Sequence, residues 1–197
     1  MADARPAVAQ PELRGPLSLG DSGFYALPEG KLKGHPGDVI KSRELVSPLF
    51  PTASVRQIMY QSIDIDGSPV PVTGVLLVPR APWQGPRPLI AFMPATRELG
   101  KQCAPSRFFD LATVDPRAID AEAPFYYNYL TRGFAVVITD YEGGGTPLPQ
   151  SLFAGPPEGY AGLDAVCAGQ RLDPRDALTP ESPVGLSGYA QGGQAAS

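Results

Sequence analysis

The sequence predicts an α/β protein in which an antiparallel hairpin leads into a parallel sheet with crossover helices. Three observations carry that expectation. Two strand-like segments, 57–65 and 70–78, flank Asp66-Gly67, a turn pair that tolerates positive φ. From Pro88 onward, short continuous apolar runs alternate with stretches of helical character. A glycine-flanked pentapeptide then follows the last of those runs, where a strand should hand over to a helix.

Residues 1–22 read as a flexible N-terminal arm, and 23–197 as the folded unit. Within the arm, Ala7-Val8-Ala9 before Gln10 fits a signal-peptide cleavage site, although the charged and apolar regions that should precede it are absent. Residues 1–9 are therefore either the remnant of a clipped signal or an Ala/Pro-rich leader. Past the hairpin, the run from Pro88 to Met93 suits a strand buried on both faces. A helix is expected over 118–132, stopped by Gly133 at C′, and a buried strand over 134–139. A second helix should span 158–172, with Tyr160, Leu163, Val166 and Gln170 at helical spacing. Residues 183–187 form the next strand, and another helix begins near Ala190. Strand, helix, strand, helix, strand is the pattern of right-handed βαβ crossovers.

Composition narrows the function classes. At 197 residues and 43 % apolar content, the chain can build one sizeable core. The net charge is −4 and the 16 Lys and Arg residues are scattered, so the clustered positive charge that nucleic acid requires is missing. No apolar run approaches the roughly 20 residues of a membrane-spanning helix. The 24 prolines and 22 glycines punctuate apolar segments, which is loop chemistry in an ordered protein. Cys103 and Cys167 lack metal-ligand spacing; they are open to pairing with each other or elsewhere, and Cys167 reads equally well as a buried helix thiol. Gly143 to Gly145 do not open a dinucleotide-binding helix, and no lysine follows a glycine run as in a P-loop. No metal and no organic cofactor is expected, and no partner protein is implied.

The pentapeptide Gly188-Tyr189-Ala190-Gln191-Gly192 carries the chemistry. With serine at its centre it would be the G-x-S-x-G nucleophile elbow. That turn holds its central residue at strained positive φ, and the two glycines let neighbouring backbone come close. The side chain is lifted clear of the sheet while the next helix offers N–H groups to an oxyanion. Gln191 would supply one of them. A hairpin followed by parallel strands and such a turn is the layout of an α/β-hydrolase.

Four ordered segments resemble the secretory lipases, the group of bacterial triacylglycerol lipases and the yeast lipase A type. They are Gln102-Cys103-Ala104-Pro105-Ser106, Thr139-Asp140-Tyr141-Glu142 with the glycines that follow, the helix over 158–172, and the stretch from Gly185 to Gly193. The resemblance runs from about residue 23 to the end and covers an N-terminal half. It implies hydrolysis of acylglycerols or other carboxylic esters by a Ser-Asp-His triad, export from the cell, and a Cys103 bridged to a cysteine in a later lid region. It also implies a second oxyanion donor in the loop after the 88–93 strand, for which Thr96 is the choice, because the family often has Pro-Gly-Thr where this chain has Pro94-Ala95-Thr96.

The chain departs from that pattern in two ways. Ala190 stands where the serine should be, so no hydroxyl is available to attack an ester. The acid and base of this fold follow the elbow, whereas the only histidine is His35, read as an exposed loop residue. Ser187, three residues before the centre, is read as a strand serine, and Tyr126, Tyr127 and Tyr141 as packing aromatics. Asp140, at a strand's C-terminal end, is expected to support the site by tying down Gly143 to Gly145. Two functions stay open: an ester hydrolase truncated after its elbow and inactive as written, or a non-catalytic relative that binds a lipid, an ester or a protein.

Overall fold

The computed structural model describes residues 23–97, 100–111, 120–172, 175 and 177–197. The expected arm at 1–22, with the leader at 1–9, lies outside the described residues. Six strands, β1 (Val39–Leu45), β2 (Ala53–Ile63), β3 (Pro69–Pro79), β4 (Leu89–Met93), β5 (Ala135–Thr139) and β6 (Val184–Gly188), form one sheet in the order β1-β2-β3-β5-β4-β6. The pairs β1–β2, β2–β3 and β3–β5 are antiparallel, and β4–β5 and β4–β6 are parallel.

The hairpin is β2–β3: β2 starts four residues before the expected position and ends two before it, β3 is one residue longer at each end, and the 64–68 loop closes the pair. Asp64 shapes that loop: its carboxylate accepts the Asp66 and Ser68 amides at 2.9 and 2.8 Å. Gly67 alone takes positive φ, at 78°, so the Asp66 half of the expected turn signal is not used. Strand β1 was not expected. Its lysine, arginine and glutamate interrupt the apolar pattern because it is an edge strand with one solvated side.

Alternate residues of the central strands point to opposite faces and build two cores. On one face, Leu89, Ala91, Met93, Ala135 and Val137 pack beneath α3 (Gly155–Leu172). On the other, Phe92, Val136 and Ile138 meet Phe109 of α1 (Pro105–Leu111) and Tyr126 and Leu130 of α2 (Ala123–Leu130). The expected helix over 118–132 is therefore shorter. Residues 118–119 lie outside the described residues, and Asp120 bonds the Glu122 amide at 2.8 Å in a turn before the helix starts. Gly133 ends it at φ 83°, as the sequence indicates. Helix α3 begins three residues early, since its two prolines fall in the first turn, where their missing N–H groups cost nothing. Of the stripe at 160, 163, 166 and 170, only Val166 lies buried in the core. Tyr160 and Leu163 are exposed, and the buried side is Ala161, Gly162, Ala165, Ala168 and Gly169. Small residues there bring the helix close enough for Gly162 to lie against Met93.

Candidate active site

From β4 the chain passes to β5 on one side and then to β6 on the other. The loops leaving β4 and β6 therefore emerge side by side, at the point where open α/β sheets form ligand sites. Register fixes this: Met93 is the partner of Gly188 on the last parallel rung.

The turn after β6 has the geometry expected of the pentapeptide. Ala190 adopts φ 52° and ψ −115°, a strained conformation for a residue with a Cβ, and it is exposed at the turn's tip. Helix α4 (Gln191–Ala195) starts immediately after it, with the Gly193 N–H donating to the Ala190 carbonyl at 2.9 Å. Glycine is required on both sides. A Cβ on Gly188 would lie 2.1 Å from the Gly192 carbonyl oxygen, and one on Gly192 would lie 1.8 Å from that of Met93. Tyr189 projects into solvent.

Across from it, the Pro94-Ala95-Thr96 loop is held by two sets of contacts. Glu122 accepts the Ala95 N–H at 3.1 Å and pairs with Arg97 at 2.5 Å, while Arg97 also pairs with Asp120. Burial keeps the Glu122 carboxyl above the ordinary range despite the Ala95 and Arg97 donors. On the other side, the Thr96 hydroxyl donates to the Gln191 side-chain carbonyl at 2.9 Å. The backbone N–H groups of Thr96 and Gln191 donate to nothing among the described residues, whereas that of Ala95 is taken.

A cavity of about 400 Å³, part of it open to solvent, adjoins this turn; its lining includes Arg97, Cys103, Asp140, Glu142, Glu158 and Gln191. Asp140 is buried, and its carboxylate accepts the Ser106 amide at 2.8 Å, the Ser106 hydroxyl at 2.5 Å and the Thr73 hydroxyl at 2.6 Å. It ties the Cys103–Ser106 segment to β3 rather than the glycine loop, which closes through its own Gly144 N–H to Tyr141 carbonyl bond of 3.3 Å. Desolvation nevertheless raises its carboxyl above the usual value. No disulfide joins Cys103 to Cys167, and Cys167 packs half-buried on α3 against Gly37.

The remaining sequence candidates fall outside the chemistry. His35 is exposed beside Asp38. The Ser187 hydroxyl accepts from Tyr129 at 3.0 Å within the sheet packing. Tyr126 and Tyr141 are buried with their hydroxyls on Asp120 and the Pro94 carbonyl, and Tyr127 is partly exposed against Phe50. Sequence reasoning missed Glu122, Asp120, Arg97 and Glu158, whose contacts across the site (Arg97 with Asp120, Ala95 with Glu122, Gln191 with Glu158) join residues 23, 27 and 33 positions apart. A buried acid in a helix's first turn, or an acid pair just before a helix, has no distinguishing local pattern.

Residues 110–197 match the secretory lipase family model. A Mycobacterium tuberculosis protein named "Probable inactive lipase" is 31% identical over 188 residues, covering 91% of this chain and 41% of that protein. Candida antarctica lipase A in its closed state superposes with a TM-score of 0.73 at 26% identity, over 91% of this chain and 41% of that one. The chain is similar to the secretory lipases. Another similar protein, Lipase 6 of Candida albicans, is 28% identical over 86% of this chain and 37% of its own length. The chain thus spans about two fifths of the length of the proteins it matches. Its fold is that of an α/β-hydrolase, and none of its described helices is long and apolar enough to cross a membrane.

Proposed function

We propose that this chain is the nucleophile-elbow half of a secreted carboxylic-ester hydrolase, with Ala190 occupying the nucleophile's seat. The observation that carries the reading is the conformation of Ala190. A positive φ of 52° at the tip of a strand-to-helix turn, cleared by glycines on both sides, is costly for alanine and serves nothing in the packing. In a hydrolase it aims a serine hydroxyl at the ester carbonyl. The backbone N–H groups of Gln191 and Thr96 are then the two oxyanion donors, and their having no other partner among the described residues supports that role. The triad order requires an acid and a histidine downstream of Ser197. The family's description as secretory supports export, and a Cys103 bridge to a downstream lid cysteine belongs to the same reading.

As written, the site cannot form an acyl-enzyme, because a methyl group has no proton to yield and no lone pair to attack with. The decisive experiment restores serine with Ala190→Ser in the whole protein and follows hydrolysis of short- and long-chain nitrophenyl esters. Turnover in the serine variant and none in the alanine protein is expected. Absence of turnover on every ester would overturn the reading.

A second function has specific support. Ala190 itself, and the name of the similar Mycobacterium tuberculosis protein, favour a non-catalytic member that keeps the pocket for binding a lipid, an ester or a protein. Saturable ester binding by both forms, without turnover by either, is its expected signature.

A further inference from the structure

We infer that Glu158 is a positioning residue for the oxyanion site, bracing the Gln191 side chain so that the Gln191 and Thr96 donors keep their spacing. The inference rests on the hydrolase reading for its purpose and on independent geometry for its content. Glu158 lies in the first turn of α3 and is fully buried. Its Oε1 accepts two hydrogen bonds, from the Phe153 amide at 2.7 Å and from the Gln191 side-chain amide at 2.5 Å. Gln191 in turn accepts the Thr96 hydroxyl at 2.9 Å. Three elements distant in sequence (the β4 loop, the start of α4 and the start of α3) are thereby joined by one side-chain chain.

The direction of that chain is set at the Glu158 end. Oε1 accepts both the Phe153 N–H and the Gln191 NH2, which leaves the Gln191 carbonyl turned toward Thr96. A threonine hydroxyl donates or accepts equally well, so it cannot orient the amide by itself. Without Glu158 the Gln191 amide is free to rotate, and Thr96 loses the contact that draws its loop toward α4. The Phe153 bond adds a further link, since Phe153 holds φ 57° and directly follows Leu152 of the cavity lining. Charge fits the same role. A carboxylate beside a developing oxyanion would oppose it, and burial shifts the Glu158 carboxyl upward, in the direction that weakens this opposition. Its Oε2 has no hydrogen-bond partner among the described residues, so the brace acts through Oε1 alone.

The test compares Glu158→Leu with Glu158→Gln in the whole protein carrying Ala190→Ser. Glutamine keeps a neutral acceptor for both donors; leucine removes it. The leucine variant is expected to lose up to about 100-fold in kcat with KM within about twofold, as for a misplaced transition-state donor. The glutamine variant is expected to recover most of that loss. An unchanged kcat in the leucine variant, or equal losses in both, would overturn the inference. A second readout needs no turnover. In the alanine protein with 15N-labelled Thr and Gln, Glu158→Leu should shift the backbone amide resonances of both Thr96 and Gln191, and Glu158→Gln should leave them near their places. A motionless Thr96 amide overturns the brace. If the serine protein hydrolyses nothing, the hydrolase reading fails while the amide shifts still decide the brace.

Discussion

At the scale of single residues, the turn after β6 contains two adjacent glycines whose requirements differ. A Cβ on Gly192 would stand 1.8 Å from the Met93 carbonyl oxygen, and backbone at the end of a central strand cannot yield. One on Gly193 would find its nearest neighbour at 3.9 Å, and alanine is the better helix former. Gly192→Ala is therefore expected to cost about 2–3 kcal/mol, whereas Gly193→Ala should be neutral or slightly stabilising; urea unfolding of the pair measures both. Similar losses in the two variants would mean that the turn does not pack as described. Ala190 offers the complementary experiment. Relieving its positive φ with Ala190→Gly removes about 1–3 kcal/mol of backbone strain, against about 0.5–1 kcal/mol of extra chain entropy for glycine. The variant should be more stable than the natural chain, and a loss of stability would show that the seat is unstrained.

At the scale of elements, the link between α3 and α4 makes stability depend on pH. Burial raises the Glu158 carboxyl above its unfolded value of about 4.3. The folded state therefore holds the proton more tightly than the unfolded chain does. Its stabilisation is fully present below the unfolded value and is lost as pH rises through the folded one. Glu158→Gln, a neutral isostere that cannot ionise, should melt above the natural chain at pH 8, and the gap should close at pH 4. Calorimetry at the two pH values checks this, and a gap that widens in acid reverses the assignment. The same helices show what was legible in the sequence. Strands β4 and β5 were visible as short apolar runs because a strand buried on both faces needs them, and β6 was visible by its position before the glycine-flanked turn although it is a border strand. The seat of Ala190 was visible because close backbone approach forces glycine at fixed spacing. Strand β1 was hidden by the charges that protect an edge. The buried face of α3 was hidden because alanine and glycine carry its packing while Tyr160 and Leu163 face solvent. Glu158 was hidden for a different reason: its partner Gln191 is 33 residues away, and no local pattern encodes such a contact.

At the scale of the whole molecule, the two borders of the sheet are unlike. The β1 border carries Lys41, Arg43 and Glu44, which discourage another chain from adding a strand. The β6 border has no such residues. Val184 and Leu186 are nearly half exposed, Tyr189 more so, and Tyr160 and Leu163 of α3 leave further apolar surface uncovered. Among the described residues β6 pairs only with β4, so its outer backbone groups form a template for another copy of the chain. The purified 197-residue chain is therefore expected to self-associate, with a mass by light scattering that rises with concentration. A lysine on that border supplies the protection that β1 already has. Leu186→Lys should shift the population toward monomer with little change in melting temperature, because Leu186 is nearly half exposed and the lysine stem can cover the surface it shields. A natural chain that stays monomeric and melts cooperatively would show that the β6 border is not adhesive, and a lysine variant that associates equally well would move the adhesion to another surface.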